Sequence, residues 1–171
     1  MTGEPRHVLE VEVPAALSLA ESISDNDLIT QVCLLALRSL FFRGYGEAMS
    51  TTEAVKWAER VNEIARPETH EKAWADFWLG FVKCTRGEQS VGVTLLEKSM
   101  EQARALNDYE LLGAASVQWV AFGLTPWSAS QAMKITLDDW RSATTPEWPL
   151  AAFGVFLSWV KESRLREYLP I

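Results

Sequence analysis

Leu95-Leu-Glu-Lys-Ser-Met-Glu-Gln-Ala-Arg-Ala-Leu-Asn-Asp108 decides the fold. Leu95, Leu96, Met100, Ala103 and Leu106 line one side of a 3.6-residue helix, Lys and Glu take the other side, and Asn107-Asp108 ends it. The end of this stripe, Met100-Ala103-Leu106, has equivalents at Leu17-Ala20-Ile23, Ala58-Val61-Ile64 and Leu137-Trp140-Ala143. Their first residues, 17, 58, 100 and 137, lie 41, 42 and 37 residues apart. Each triplet runs straight into a turn: Ser24-Asp-Asn-Asp27, Arg66-Pro-Glu-Thr69, Asn107-Asp-Tyr-Glu110 and Thr144-Thr-Pro-Glu147. A stripe and a stop recurring at a fixed interval are the mark of a helical repeat.

Working outward, the interval leaves no room for a domain boundary, and 171 residues at 48% hydrophobic content suffice for a sizeable core. The expected organisation is an arm over residues 1–13 followed by one repeat domain over 14–171. Helices are predicted over roughly 14–23, 27–43, 50–65, 70–86, 89–106, 109–123, 129–143 and 147–166. Ser50-Thr-Thr-Glu53 and Ser128-Ala-Ser-Gln131 read as capping boxes, and Thr145-Pro146 as an N-cap followed by proline at the first helical position. Gly46 and Gly87 fall 41 residues apart, where the chain turns from the first to the second helix of a unit and positive φ is useful. Within His7-Val-Leu-Glu-Val-Glu-Val13, Leu9, Val11 and Val13 alternate with Glu10 and Glu12, which predicts an extended arm, either docked or free, or an edge that pairs with a second copy.

The helices of a unit differ in role. Second helices carry a narrow stripe, Ala54-Ala58-Val61-Ile64-Ala65 or Leu95-Leu96-Met100-Ala103-Leu106, whereas first helices are apolar nearly all round, as at Leu34-Leu-Ala-Leu37 and Trp74 to Val82. An inner layer of first helices covered by amphipathic second helices buries such surfaces.

The run Leu79-Gly80, Gly87-Glu88, Gly92, Leu96 and Ser99 resembles the tetratricopeptide repeat, with Asp76 and Lys83 where that family carries aromatic residues, and with a longer period. Leu35, Phe42, Gly46 and Ala58 repeat the pattern in the preceding unit, where Arg38-Ser39 replaces Leu-Gly. Over residues 14–165 the chain is similar to the tetratricopeptide-like arrays of large ATP-dependent bacterial transcriptional regulators of the LuxR class and related signalling proteins. The resemblance implies an all-α, right-handed α-α superhelix of antiparallel helix pairs. It places the family's ligand-touching groove positions on Trp74, Phe77, Phe81, Cys84 and Thr85, with Cys33, Ala36, Leu40 and Arg43 in the unit before.

Several chemistries are argued against. A net charge of -7 with scattered Lys and Arg gives no electrostatic footprint for nucleic acid. Gly44-Tyr45-Gly46 is followed by Glu47 with no phosphate-loop lysine, so no nucleotide cofactor is expected. Ser158-Trp-Val-Lys161 lacks the companion motifs of acyl-transfer enzymes. His7, Cys33, His70 and Cys84 are too far apart in sequence for a local metal turn, and Glu59, Glu63, Glu97 and Glu101 fit a solvated outer face. No catalytic residue, cofactor or metal is expected. Two lone thiols and no reading of a leader or a membrane span place the chain in the cytoplasm.

Eight tryptophans exceed the needs of a plain array, and Trp74, Phe77, Trp78 and Phe81 reach around more than one face of a single helix. The apolar groove they imply suits a protein or peptide, or a neighbouring domain of a larger parent; the alternative is a sensor that encloses a small apolar ligand. The apolar segment Trp148 to Tyr168 is a candidate homodimer face.

Overall fold

The computed structural model describes residues 5–123. The expectations on Ser128-Gln131, Leu137-Trp140-Ala143, Thr145-Pro146, Ser158-Lys161 and the segment from Trp148 lie outside them. All regular structure among the described residues is helical: α1 (Pro5–His7), a π turn (Val8–Glu12), α2 (Val13–Ser22), α3 (Asn26–Met49), α4 (Thr52–Ile64), α5 (His70–Thr85), α6 (Gln89–Leu106) and α7 (Tyr109–Gly123).

The predicted extended arm is corrected. Residues 7–13 continue into α2 as helix, with Leu9 at 8% and Val13 at 1% exposure while Val11 stands 53% exposed. Leu9 and Val13 are one helical turn apart, and Ala20 extends their buried stripe. The wide turn just before Pro14 relieves the clash its ring would make with the carbonyl four residues back.

Caps divide the rest. Asp25 Oδ1 accepts from the amides of Asp27 and Leu28, both at 3.0 Å, and opens α3. Thr69 Oγ1 accepts from Lys72 N at 3.2 Å and opens α5. At α4 the expected box slips by one residue: Thr51, not Ser50, caps by accepting from Ala54 N at 3.2 Å, and Glu53 turns to Arg43 instead. Three helices end in the same double bond pattern. Ser24, Gly87 and Asn107 take φ of 54°, 85° and 56°, so the next amide reaches back to Ala20, Lys83 and Ala103 respectively. Gly46 does not share this role. The chain breaks one residue earlier, at Tyr45 with φ 48° and ψ -134°, so α3 is two helical pieces joined at a kink.

Consecutive helices pack against each other, and α5 also touches both α3 and α7. Among the described residues the α5–α6 crossing is the tightest. A Cβ on Gly92 would lie 2.4 Å from Cys84 Sγ and 2.6 Å from Gly80 O, so only glycine lets the two backbones meet. By length and mean hydropathy, 1.2, α3 could cross a membrane; here one side of it packs on α2, α4 and α5, with Cys33, Ala36, Leu37 and Leu40 at 0% exposure.

Candidate functional site

The aromatic residues of α5 form one connected belt. Phe77 packs edge-to-face on Trp74 at 5.5 Å and on Trp78 at 4.8 Å, and Phe81 continues the row. Phe41 of α3 meets Trp78 and Phe81, each at 5.8 Å, and Phe122 of α7 meets Phe81 at 6.0 Å. The four rings of α5 do span several faces, because α5 is clasped by neighbours on several sides. Phe77, Trp78 and Phe81 are thereby buried. Edge-to-face geometry adds to area burial, so the belt ties α3, α5 and α7 together.

The expected groove positions come together on α3 and α5, but few reach the surface. Cys33, Ala36, Leu40, Phe77, Phe81 and Cys84 are buried, while Trp74 and Thr85 are half-buried. The Trp74 indole donates to Asp108 Oδ2 at 3.2 Å and the Thr85 hydroxyl to Val82 O at 2.9 Å. Arg43 is accessible and pairs with Glu53 at 3.6 Å.

The open face of α3 lies elsewhere. Leu28, Leu35 and Phe42 are 40%, 44% and 56% exposed, and Gln31 and Arg38 lie exposed among them. Their seven-residue spacing was available in the sequence, but a helix apolar nearly all round does not say which stripe faces out. Arg38 is the cation of this face. Its guanidinium carbon lies 6.0 Å from the Phe42 ring centroid, and an Nη lies 3.7 Å from Glu110 Oε1 at the start of α7. Since α3 and α7 each pack on α5, this ion pair crosses over α5.

Two carboxylates organise the interior. Asp76, fully buried, accepts from Asn62 Nδ2 at 2.6 Å and pairs with Lys72 at 3.2 Å, while Lys98 Nζ lies 2.8 Å from Oδ2. The Lys98 contact is ionic without hydrogen-bond alignment. The buried carboxylate is thus met by side chains of α4, α5 and α6 at once. Asp108 accepts from Leu111 N at 3.0 Å as the cap of α7, from Trp74, and contacts His70 Nδ1 at 3.1 Å. His70, read as solvent-facing, is exposed.

Burial pushes the thiols of Cys33 and Cys84 up from 9.0 to about 11, with Arg60 opposing the rise at Cys33, so neither is an activated nucleophile. Glu97 accepts from Trp119 Nε1 at 3.0 Å, and Glu59 lies 3.8 Å from Lys83. A polar recess lined by Asp27, Thr30, Gln31, Arg66, Thr69 and Glu71 is crossed by the Arg66–Asp27 pair. Among the described residues no group of three His, Cys, Asp or Glu could hold a metal ion. No family model, no curated protein and no solved structure matches this chain.

Proposed function

We propose that this chain is a non-enzymatic helical-repeat scaffold, resembling a tetratricopeptide array, that binds a protein, a peptide or a neighbouring domain of a larger parent. In this reading α3, α5 and α7 are successive first helices of a right-handed superhelix with a period of about 40 residues, and α2, α4 and α6 cover them. The setting is a regulatory segment of a cytoplasmic bacterial signalling or transcription protein, as the resemblance implies.

The observation that carries the reading is the division of the apolar residues. The rings of α5 are spent on one another and on Phe41 and Phe122, while Leu28, Leu35 and Phe42 stay open. Rings already in mutual contact favour a protein surface over an enclosed apolar metabolite. The test is a photo-crosslinking residue at position 35, compared with one at the exposed Lys56 on α4. A scaffold gives protein adducts from position 35 and few from 56. Equal yields at both sites, or melting that shifts with a small apolar metabolite while no protein adduct forms, would overturn it.

A further inference from the structure

The exposed face of α3 combines an apolar stripe with one paired cation. Leu28, Leu35 and Phe42 repeat every seven residues, which is the footprint of a second amphipathic helix laid along the first. Arg38 stands between Leu35 and Phe42, held by Glu110 through an ion pair in which both side chains are more than half or half exposed, at 61% and 50%. An exposed pair at 3.7 Å is weak and exchanges partners readily. A helix that covered this face would withdraw Arg38 from water and would have to supply it with an anion.

Resting on the scaffold reading only for the idea that the face binds something, we propose that α3 docks an acidic amphipathic helix. Its apolar residues repeat every seven positions, and its carboxylate replaces Glu110 on Arg38. Glu110 is then a built-in competitor for Arg38, which such a helix displaces. The complementarity is specific. A helix with lysine at the same position would face Arg38 directly, and a neutral one would leave Arg38 to Glu110.

The test uses the full chain and two fluorescein-labelled synthetic helical peptides, read by anisotropy. Both carry leucine at every seventh position; one has glutamate four residues to either side of the central leucine and the other has lysine there. The glutamate peptide binds at least about fivefold more tightly, as expected for one partly desolvated ion pair. Glu110→Gln tightens it further by removing the competitor. Arg38→Glu reverses the preference, and Arg38→Glu with Glu110→Lys supplies a folded control with the internal pair restored in reverse.

Any one of three results would overturn the proposal: neither peptide binds, the preference survives Arg38→Glu, or the free chain is a dimer that Leu35→Glu dissociates, which gives the face to a second copy. Failure of the array reading looks different. Peptide selectivity and its gain on Glu110→Gln would then persist while the crosslinker at position 35 gave no more protein adducts than the one at position 56.

Discussion

Gly92→Ala probes the tightest glycine contact among the described residues. The new methyl would sit 2.4 Å from Cys84 Sγ, 2.6 Å from Gly80 O and 2.8 Å from Cys84 N. Two of these are backbone atoms of α5, so no rotamer change relieves them, and the helices must part. Overpacking of a close-packed contact costs up to about 3 kcal/mol. Alanine returns about 1 kcal/mol of helix propensity over glycine, leaving a net loss of about 2 kcal/mol. At 2–4 °C per kcal/mol for a chain of this size, the midpoint of thermal unfolding falls by roughly 4–8 °C. Circular dichroism melts and urea titrations measure both quantities. Gly46→Ala, where nothing lies within 4 Å of the new methyl, is the control and melts at or above the parent temperature. Adding Cys84→Ala to Gly92→Ala recovers part of the loss, because the sulfur goes but the two backbone contacts stay. A Gly92→Ala chain as stable as the parent would refute the close crossing of α5 and α6.

Three further predictions are simpler. Thr51→Ala costs about 1 kcal/mol and Ser50→Ala much less, as read by urea unfolding, because Thr51 holds the amide of Ala54; the reverse order would restore the expected box. Asp76→Asn destabilises by about 3 kcal/mol, the low end for a broken buried pair, since Lys98 is half-exposed and can turn to water. The thiols of Cys33 and Cys84 resist an aromatic disulfide reagent at pH 8 until urea is added. Because burial raises their folded pKa to about 11 from the ordinary thiol value of 9.0, they add stability below pH 9 that is lost as pH rises toward 11. Rapid labelling of the native chain would contradict their burial.

The central helices are legible because independent local signals agree. Thr69 caps, Gly87 and Asn107 stop, and the stripes of α4 and α6 have one period throughout, so the predicted 70–86, 89–106 and 109–123 fall on α5, α6 and α7 within a residue. Residues 7–13 mislead because Leu9 and Val13 satisfy two-residue and four-residue spacing equally. Only the exposure of Val11, which requires the fold, separates strand from helix. The slips from Ser50 to Thr51 and from Gly46 to Tyr45 both fall at the kinked end of α3, where Tyr45 takes positive φ with its ring 4.8 Å from that of Phe41 one turn earlier. The candidate site is harder. Its positions on α3 were placed by resemblance, whereas the open stripe is selected by what α2, α4 and α5 already cover. The lattice of Asn62, Lys72, Asp76 and Lys98 is invisible in sequence, since its members sit on three helices.

Everything functional here depends on α3, α5 and α7 lying side by side with Arg38 reaching across α5 to Glu110. The direct measurement is electron paramagnetic resonance on a chain spin-labelled at Arg38→Cys and Glu110→Cys, with the buried native thiols left unlabelled. Spin–spin broadening beyond the sum of the two singly labelled spectra is the predicted result. A doubly labelled spectrum that superposes on that sum would place the two helices apart and contradict the account.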